Sequence, residues 1–351
     1  MTPPRLPGGD LVTSRRGFFW VGGEPVPAGE GTALRGQMFV QWEEPAEVTK
    51  PYPVVLVHGG GGQGTDWLGT PDGRPGWATF LLDEGYAVYV VDRPGHGRSP
   101  YHPDVLGPPG AVLTLELVAA LFTDAAAGPM AHPTAHLHTQ WPDGGRPGDP
   151  NVRAFAAGTG PMLADARLAH TLEQACGAAL LDEIGPAILV TASSGGPMGW
   201  LTADARPAAV KAIVGVEPIG PAFLDNPRLG LSLDWGLTAA PMTFDPPAAS
   251  PEELPRETVE TPDGSLTLQT EPARRLTELA GVPIALVEAE ASLFAHPGPA
   301  TAAFLEQAGC RVERIVLAEH GVHGNGHLMM LERNNREVLG PILRWLDANV
   351  R

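Results

Sequence analysis

Six short apolar runs, at 54–57, 87–91, 187–190, 212–216, 283–287 and 312–317, are spread along the chain, with helical patterns such as 77–84 and 300–308 between most of them. Each run has the length of a buried strand rather than a helix. Uninterrupted apolar strands alternating with helices predict an α/β fold whose central sheet is mostly parallel and covered by helices on both faces. A leading antiparallel pair is expected at 17–21 and 37–42. A last helix over 328–350 sets Leu331, Val338, Leu339, Ile342, Leu343 and Leu346 at helical spacing, so it should pack on the sheet. With 351 residues the whole chain, 1–351, reads as a single domain with a substantial core.

Two stretches break the rhythm. The first, about 101–165, is rich in Pro, Gly and His; the second, about 223–271, carries prolines and acidic residues. Both follow strand ends, where an open α/β sheet builds its ligand crevice, so they are expected to be cap or lid insertions. For 248–260 a plain surface loop is an equal expectation.

The stretch that most directly suggests chemistry is Ile188-Leu189-Val190-Thr191-Ala192-Ser193-Ser194-Gly195-Gly196-Pro197, an apolar strand breaking into two serines and two glycines. It reads as a nucleophile elbow, a tight strand-to-helix turn that exposes a serine hydroxyl and tolerates only small neighbours. Two registers fit, Thr191-x-Ser193-x-Gly195 and Ala192-x-Ser194-x-Gly196. After the first central strand comes His58-Gly59-Gly60-Gly61-Gly62. Glycines at a strand's carboxyl end can turn backbone N–H groups toward a developing oxyanion, so Gly60 and Gly61 are candidate oxyanion-hole residues. A phosphate loop is disfavoured, because neither the order G-x-x-x-x-G-K-[ST] nor G-x-G-x-x-G opening a helix is present.

The next strand ends in Asp92-Arg93-Pro94-Gly95-His96-Gly97-Arg98-Ser99, a glycine-punctuated turn expected to be structural. H-G-G-G, then D-x-x-G-x-G-x-S, then a serine elbow, in this order, resembles the α/β-hydrolase fold over nearly the whole chain. The elbow also resembles the T-H-S-Q-G-G-P of a bacterial esterase-like subgroup with a Ser-His-Glu triad. His138-Thr139-Gln140-Trp141-Pro142, Val216-Glu217-Pro218 and Gly324-Asn325-Gly326-His327-Leu328-Met329-Met330 resemble it too. Ala192 and Ser194 depart from that pattern, which has His and Gln there. The resemblance implies Ser193 as nucleophile, with the Ser194 amide as an oxyanion donor; Ser194 is the alternative nucleophile.

A serine needs a base and an orienting carboxylate. His320, His323 and His327 follow the last strand, and His327 stands closest to the expected final helix and matches the subgroup. His320 and His323 are alternatives, and His58 reads as a brace for the glycine loop. Glu217 lies 24 residues beyond Ser193, room for one helix and one strand, and the following Pro218 turns the chain out sharply. Glu288 or Glu290, one strand further on, is the alternative acid.

Trp141, Trp200 and His138 are candidate pocket residues, with Met130, Met162, Met198 and Met242 as further apolar candidates. His132, His136 and His138 lack an accompanying carboxylate or cysteine at ligand spacing, so no metal is expected, and the chemistry calls for no cofactor. Cys176 and Cys310 exclude a disulfide framework.

With 23 Lys and Arg against 40 Asp and Glu, the net charge of −17 repels nucleic acids and anionic membranes. No apolar run approaches the ~20 residues of a membrane helix. The first 23 residues show no apolar segment ending in a small-residue cleavage site, so a cytoplasmic location is expected. The expected partner is a small-molecule ester, cleaved by a serine esterase through an acyl-enzyme; a homodimer is compatible with this composition. Lactone opening, lyase or acyl-transfer chemistry, and simple ligand binding, are the rival functions, since a fold does not fix a reaction.

Overall fold

The computed structural model describes residues 13–226, 231–261 and 264–350. The first dozen residues, part of the segment read above for a leader, lie outside it, as do 227–230 and 262–263 of the second insertion. The strands are β1 Ser14–Ala28, β2 Gly31–Pro45, β3 Val54–Val57, β4 Val88–Asp92, β5 Ala187–Ala192, β6 Val210–Val216, β7 Asp225–Asn226, β8 Leu231–Ser232, β9 Arg256–Thr261, β10 Gly264–Gln269, β11 Ile284–Glu288 and β12 Val312–Val316. The helices are α1 Thr65–Leu68, α2 Trp77–Asp83, α3 Pro103–Leu106, α4 Leu115–Val118, α5 Pro150–Ala157, α6 Ala166–Ile184, α7 Gly196–Ala205, α8 Gly298–Gln307 and α9 Asn335–Asn349.

Eight strands form one sheet in the order β1-β2-β4-β3-β5-β6-β11-β12. β1 pairs antiparallel with β2, and β2 with β4; every other neighbour in the sheet is parallel. All residues of β3, β5 and β11 are buried, as expected of strands covered on both faces. Alternate side chains feed two apolar cores. Leu56, Val90, Val190 and Val214 pack with Trp77 and Leu81 of α2 and Val338, Leu339 and Ile342 of α9. Val57, Leu189 and Ile213 pack on the other face with Leu180 of α6, Leu201 of α7 and Phe304 of α8.

Register does the work of assembling a site. Val57 is level with Thr191, and Ala192 with Val216, so the residues that follow β3, β5 and β6 emerge together at the carboxyl edge of the sheet. Those residues are His58, Ser193 and Glu217.

Two local expectations need correction. The final helix begins at Asn335 rather than 328, because 325–334 closes into a loop around the buried Glu332 carboxylate. Glu332 accepts hydrogen bonds from the Gly326 N–H at 3.0 Å and from Asn325 Nδ2 at 2.7 Å. Leu328, Met329, Met330 and Leu331 still bury against the core, so the apolar pattern is satisfied without helix. In the second insertion, part of the segment read as a loop is strand: β9 pairs antiparallel with β10.

Candidate active site

Ser193 sits at the corner between β5 and α7 with φ 50°, in the left-handed region that non-glycine residues avoid. Such a conformation costs on the order of 1–3 kcal/mol and persists where the surroundings enforce it. Here the Ser193 carbonyl accepts from the Ile219 N–H at 2.9 Å, tying the corner to the chain leaving β6. The two glycines that follow at 195 and 196 have no room for a side chain. A Cβ on Gly195 would lie 2.4 Å from the His58 carbonyl oxygen, and one on Gly196 would lie 2.7 Å from Pro218 Cβ.

The glycine loop after β3 lies against this corner. A Cβ on Gly59 would stand 3.1 Å from Ser193 Cβ, and one on Gly60 would stand 3.0 Å from Ser194 Oγ. The Gly61 carbonyl accepts from the Gly160 N–H at 2.7 Å, which ties the loop to the chain just before Met162. His58 donates from Nδ1 to the Gly59 carbonyl at 2.8 Å and accepts the Arg93 N–H at Nε2 at 3.0 Å. Both ring nitrogens are therefore spent on holding the loop. Complete burial, and then the nearby Arg93 charge, push its pKa well below the usual histidine range.

Glu217 leaves β6 with φ 41° and is 2% exposed. Its Oε1 accepts the Ala289 N–H at 2.9 Å, and its Oε2 accepts the Ser292 hydroxyl at 2.6 Å and His327 Nδ1–H at 2.5 Å. Nδ1 is thus committed to the carboxylate, and Nε2 has no hydrogen-bond partner among the described residues. Two aromatic rings hold the imidazole: Phe294 at 4.1 Å between centroids and Phe122, stacked, at 5.4 Å.

The other candidates are placed apart from this pair. His323 is exposed and pairs with Glu290 Oε1 at 3.1 Å, while Glu290 Oε2 accepts the Gly324 N–H; that backbone bond, before any other cause, lowers the Glu290 pKa. His320 is exposed at the end of a short turn after β12. Glu288 is engaged by Arg314 at 2.6 Å. His138 Nε2–H donates to Glu332 Oε1 at 2.7 Å, and His132 contacts Thr134 and His296, so the three-histidine group does not converge.

The pocket expectation is corrected. Trp200 is fully buried in α7 and packs in the core with Leu180, Ile213 and Phe304, because its ring lies on the sheet-facing side of the helix covered by α6 and α8. Trp141 and His138 line an open cavity of about 320 Å³ with Thr123, Asp124 and Arg333. A different cavity, bounded by Gly60, Met162, Leu163 and Ile219, adjoins Ser194. Met162 is the one predicted apolar candidate found there.

Several site residues carried no usable sequence signal. Arg93 is buried: its guanidinium pairs with Glu173 at 2.7 Å and donates to the Gly59 carbonyl at 2.8 Å and the Ser194 carbonyl at 3.1 Å, stitching the glycine loop to the elbow. Ser292 and Phe294 reach the site from a short 3-10 turn and Phe122 from a π-helical turn over 119–123, whose placement only packing decides. Burial raises the thiol pKa values of Cys176 and Cys310 to about 12, so neither offers a thiolate nucleophile.

Comparison with known proteins extends the picture beyond the site. The family model described as alpha/beta hydrolase fold matches residues 52–249. A fungal protein named "Probable secreted lipase phiG", from Fungal sp. (strain ATCC 74256), is 40% identical over 98% of this chain and 92% of its own length. The solved structure of a "Novel Bacterial Esterase" is 26% identical and covers 99% of this chain and all of its own, with a TM-score of 0.68. The cytoplasmic expectation is withdrawn on the first of these relatives, which is named as secreted; an acidic chain with two buried free cysteines suits either compartment. A glycine loop, a strained serine corner and a carboxylate-bound histidine at one sheet edge, with this likeness over the whole chain, place the protein in the alpha/beta-hydrolase fold family.

Proposed function

We propose that the protein is a serine hydrolase of carboxylic esters, with Ser193 as nucleophile, His327 as base and Glu217 as the orienting acid. The observation that carries it is the buried Glu217–His327 hydrogen bond at 2.5 Å, one strand from a serine held at positive φ. The relative named as a lipase and the bacterial esterase support the same chemistry, and the relative's name supports an extracellular setting.

In this reading His327 Nε2 takes the Ser193 Oγ proton as Oγ attacks the ester carbonyl carbon. The Gly60 and Ser194 amides stabilise the oxyanion. His327 returns the proton to the departing alkoxide, leaving an acyl-Ser193. Water, deprotonated by the same imidazole, then releases the acid and restores the serine. Glu217 stays ionised throughout, fixing the tautomer and stabilising the imidazolium.

Intact-mass analysis after fluorophosphonate treatment tests the assignment. The wild type and Ser194→Ala are expected to gain one phosphonyl adduct, and Ser193→Ala none. An adduct lost only in Ser194→Ala moves the nucleophile one residue; no adduct on the wild type removes the hydrolase reading.

A further inference from the structure

The two amides assigned to the oxyanion belong to peptide groups whose oxygens are both held from behind. A trans peptide is planar, with its C=O and N–H pointing in opposite directions, so whatever fixes the oxygen also aims the hydrogen. For the Ser193–Ser194 peptide the fixing donor is the Ile219 N–H, on the Ser193 carbonyl at 2.9 Å. For the Gly59–Gly60 peptide the Gly59 carbonyl accepts from His58 Nδ1–H at 2.8 Å, from Arg93 Nη2–H at 2.8 Å and from the Gly62 N–H at 3.3 Å. The Gly60 N–H itself has no acceptor among the described residues. Of the groups on the Gly59 carbonyl Arg93 alone is charged, since burial keeps the His58 ring neutral.

Arg93 is placed for this by its own surroundings. It follows the end of β4, and its backbone N–H donates to His58 Nε2 at 3.0 Å, so the two residues that hold the Gly59 carbonyl also hold each other. Its Nη1 is shared between Glu173 of α6 at 2.7 Å and the Ser194 carbonyl at 3.1 Å. Arg93 is 4% exposed and Glu173 1%. Burying such a pair costs two desolvations that the mutual attraction barely repays, so stability does not account for it. Position does. A planar fork reaches carbonyls on two separate segments, the glycine loop and the elbow, at a fixed spacing that a single ammonium does not match. A charged donor on a carbonyl also draws electron density through the amide and makes its N–H the stronger donor.

We propose that Arg93 is a positioning residue for ester hydrolysis: through the Gly59 carbonyl its guanidinium aims and strengthens the Gly60 N–H as an oxyanion donor, while Glu173 holds the fork in place. The inference rests on the hydrolase reading above. Arg93 acts through the Gly59–Gly60 peptide, so its effect falls on states in which the substrate oxygen carries negative charge, and ester binding is left nearly unchanged.

Arg93→Met combined with Glu173→Gln removes the fork without leaving a charge buried. Two ketones of equal length read the oxyanion separately from binding. The carbonyl carbon of 1,1,1-trifluorooctan-2-one bonds to Ser193 Oγ, the Oγ proton passes to His327 Nε2 and the carbonyl π pair becomes the oxyanion; octan-2-one stays planar. In the folded double variant, kcat/KM for 4-nitrophenyl butyrate and affinity for the trifluoro ketone are expected to fall together on the order of 10–100-fold. Affinity for octan-2-one is expected to stay within about threefold, and the pH profile of kcat/KM to keep its wild-type shape. If the double variant does not fold, Arg93→Lys, which keeps a cation beside Glu173 but has no fork, is read in the same way, with a loss expected on the order of tenfold. A folded variant that keeps kcat/KM within about threefold of the wild type overturns the proposal. Equal loss of affinity for both ketones overturns it too, since that is the result of a generally disordered site. Either outcome leaves the hydrolase standing as long as the wild type takes the fluorophosphonate adduct. A wild type with neither turnover nor adduct brings down the hydrolase reading and this inference with it.

Discussion

Glu217 and Glu290 show how far one residue's surroundings decide its part. Both follow sheet strands, but Glu217 is buried with three hydrogen-bond donors on its carboxylate, whereas Glu290 sits in an exposed pair with His323. An amide at 217 would offer an N–H₂ where His327 Nδ1 needs an acceptor. Glu217→Gln is therefore expected to lower kcat on the order of 10³–10⁴-fold, and Glu290→Gln to leave it within about threefold. Steady-state kinetics on an aryl ester measure both, and the reverse pattern would move the acid to the next strand. The choice between the two was open in the sequence, because spacing alone fits either; burial, invisible in a list of residues, separates them.

At the scale of elements, the elbow and the loop before α9 contrast. The elbow was legible because its geometry is local: a strand, a serine and small residues in sequence are enough to specify a tight turn. Its tolerance is correspondingly narrow. Gly195→Ala would press a methyl against the His58 backbone carbonyl, which itself belongs to the glycine loop. A loss of about 1–3 kcal/mol is expected, read from the urea midpoint at constant slope, with reduced turnover as the loop shifts. An unchanged midpoint and rate would show that the two backbones are not in contact. The loop at 325–334 was not legible as a loop. Its apolar residues fit a helical period, and what breaks the helix is Glu332 drawing in Gly326, Asn325 and His138 from a distant part of the chain.

The whole molecule carries a pH dependence that no single element shows. His58, His96 and His170 are all buried and neutral, each with a pKa depressed chiefly by burial, to about 3 for the latter two. The unfolded chain takes up protons at these histidines below about pH 6.5, while the folded chain resists until much lower. The stability they contribute is thus fully present above pH 6.5 and is lost as pH falls toward 3. Each adds a slope of at most ~1.4 kcal/mol per pH unit. The urea midpoint is expected to drop clearly between pH 7.5 and 5.5; a midpoint equal or higher at 5.5 would show that the three rings are hydrated or paired. The acidic surface, at net charge −17, acts in the opposite sense over this range, since its self-repulsion eases on acidification.

By itself the sequence determined the class of fold, the eight-stranded sheet's central strands and the turn that exposes Ser193, because all three follow from local period, strand length and side-chain size. It also supplied Glu217 and His327 as candidates, through spacing and resemblance. Tertiary structure decided which carboxylate meets which histidine, removed Trp200 from the pocket, and brought in Arg93, Ser292 and the two phenylalanines. Those outcomes depend on strand register and on burial, which arise between segments far apart in the chain. It is the parallel register of β3, β5 and β6 that turns three separate motifs into one edge, and the packing of the insertions that shapes the space beside it.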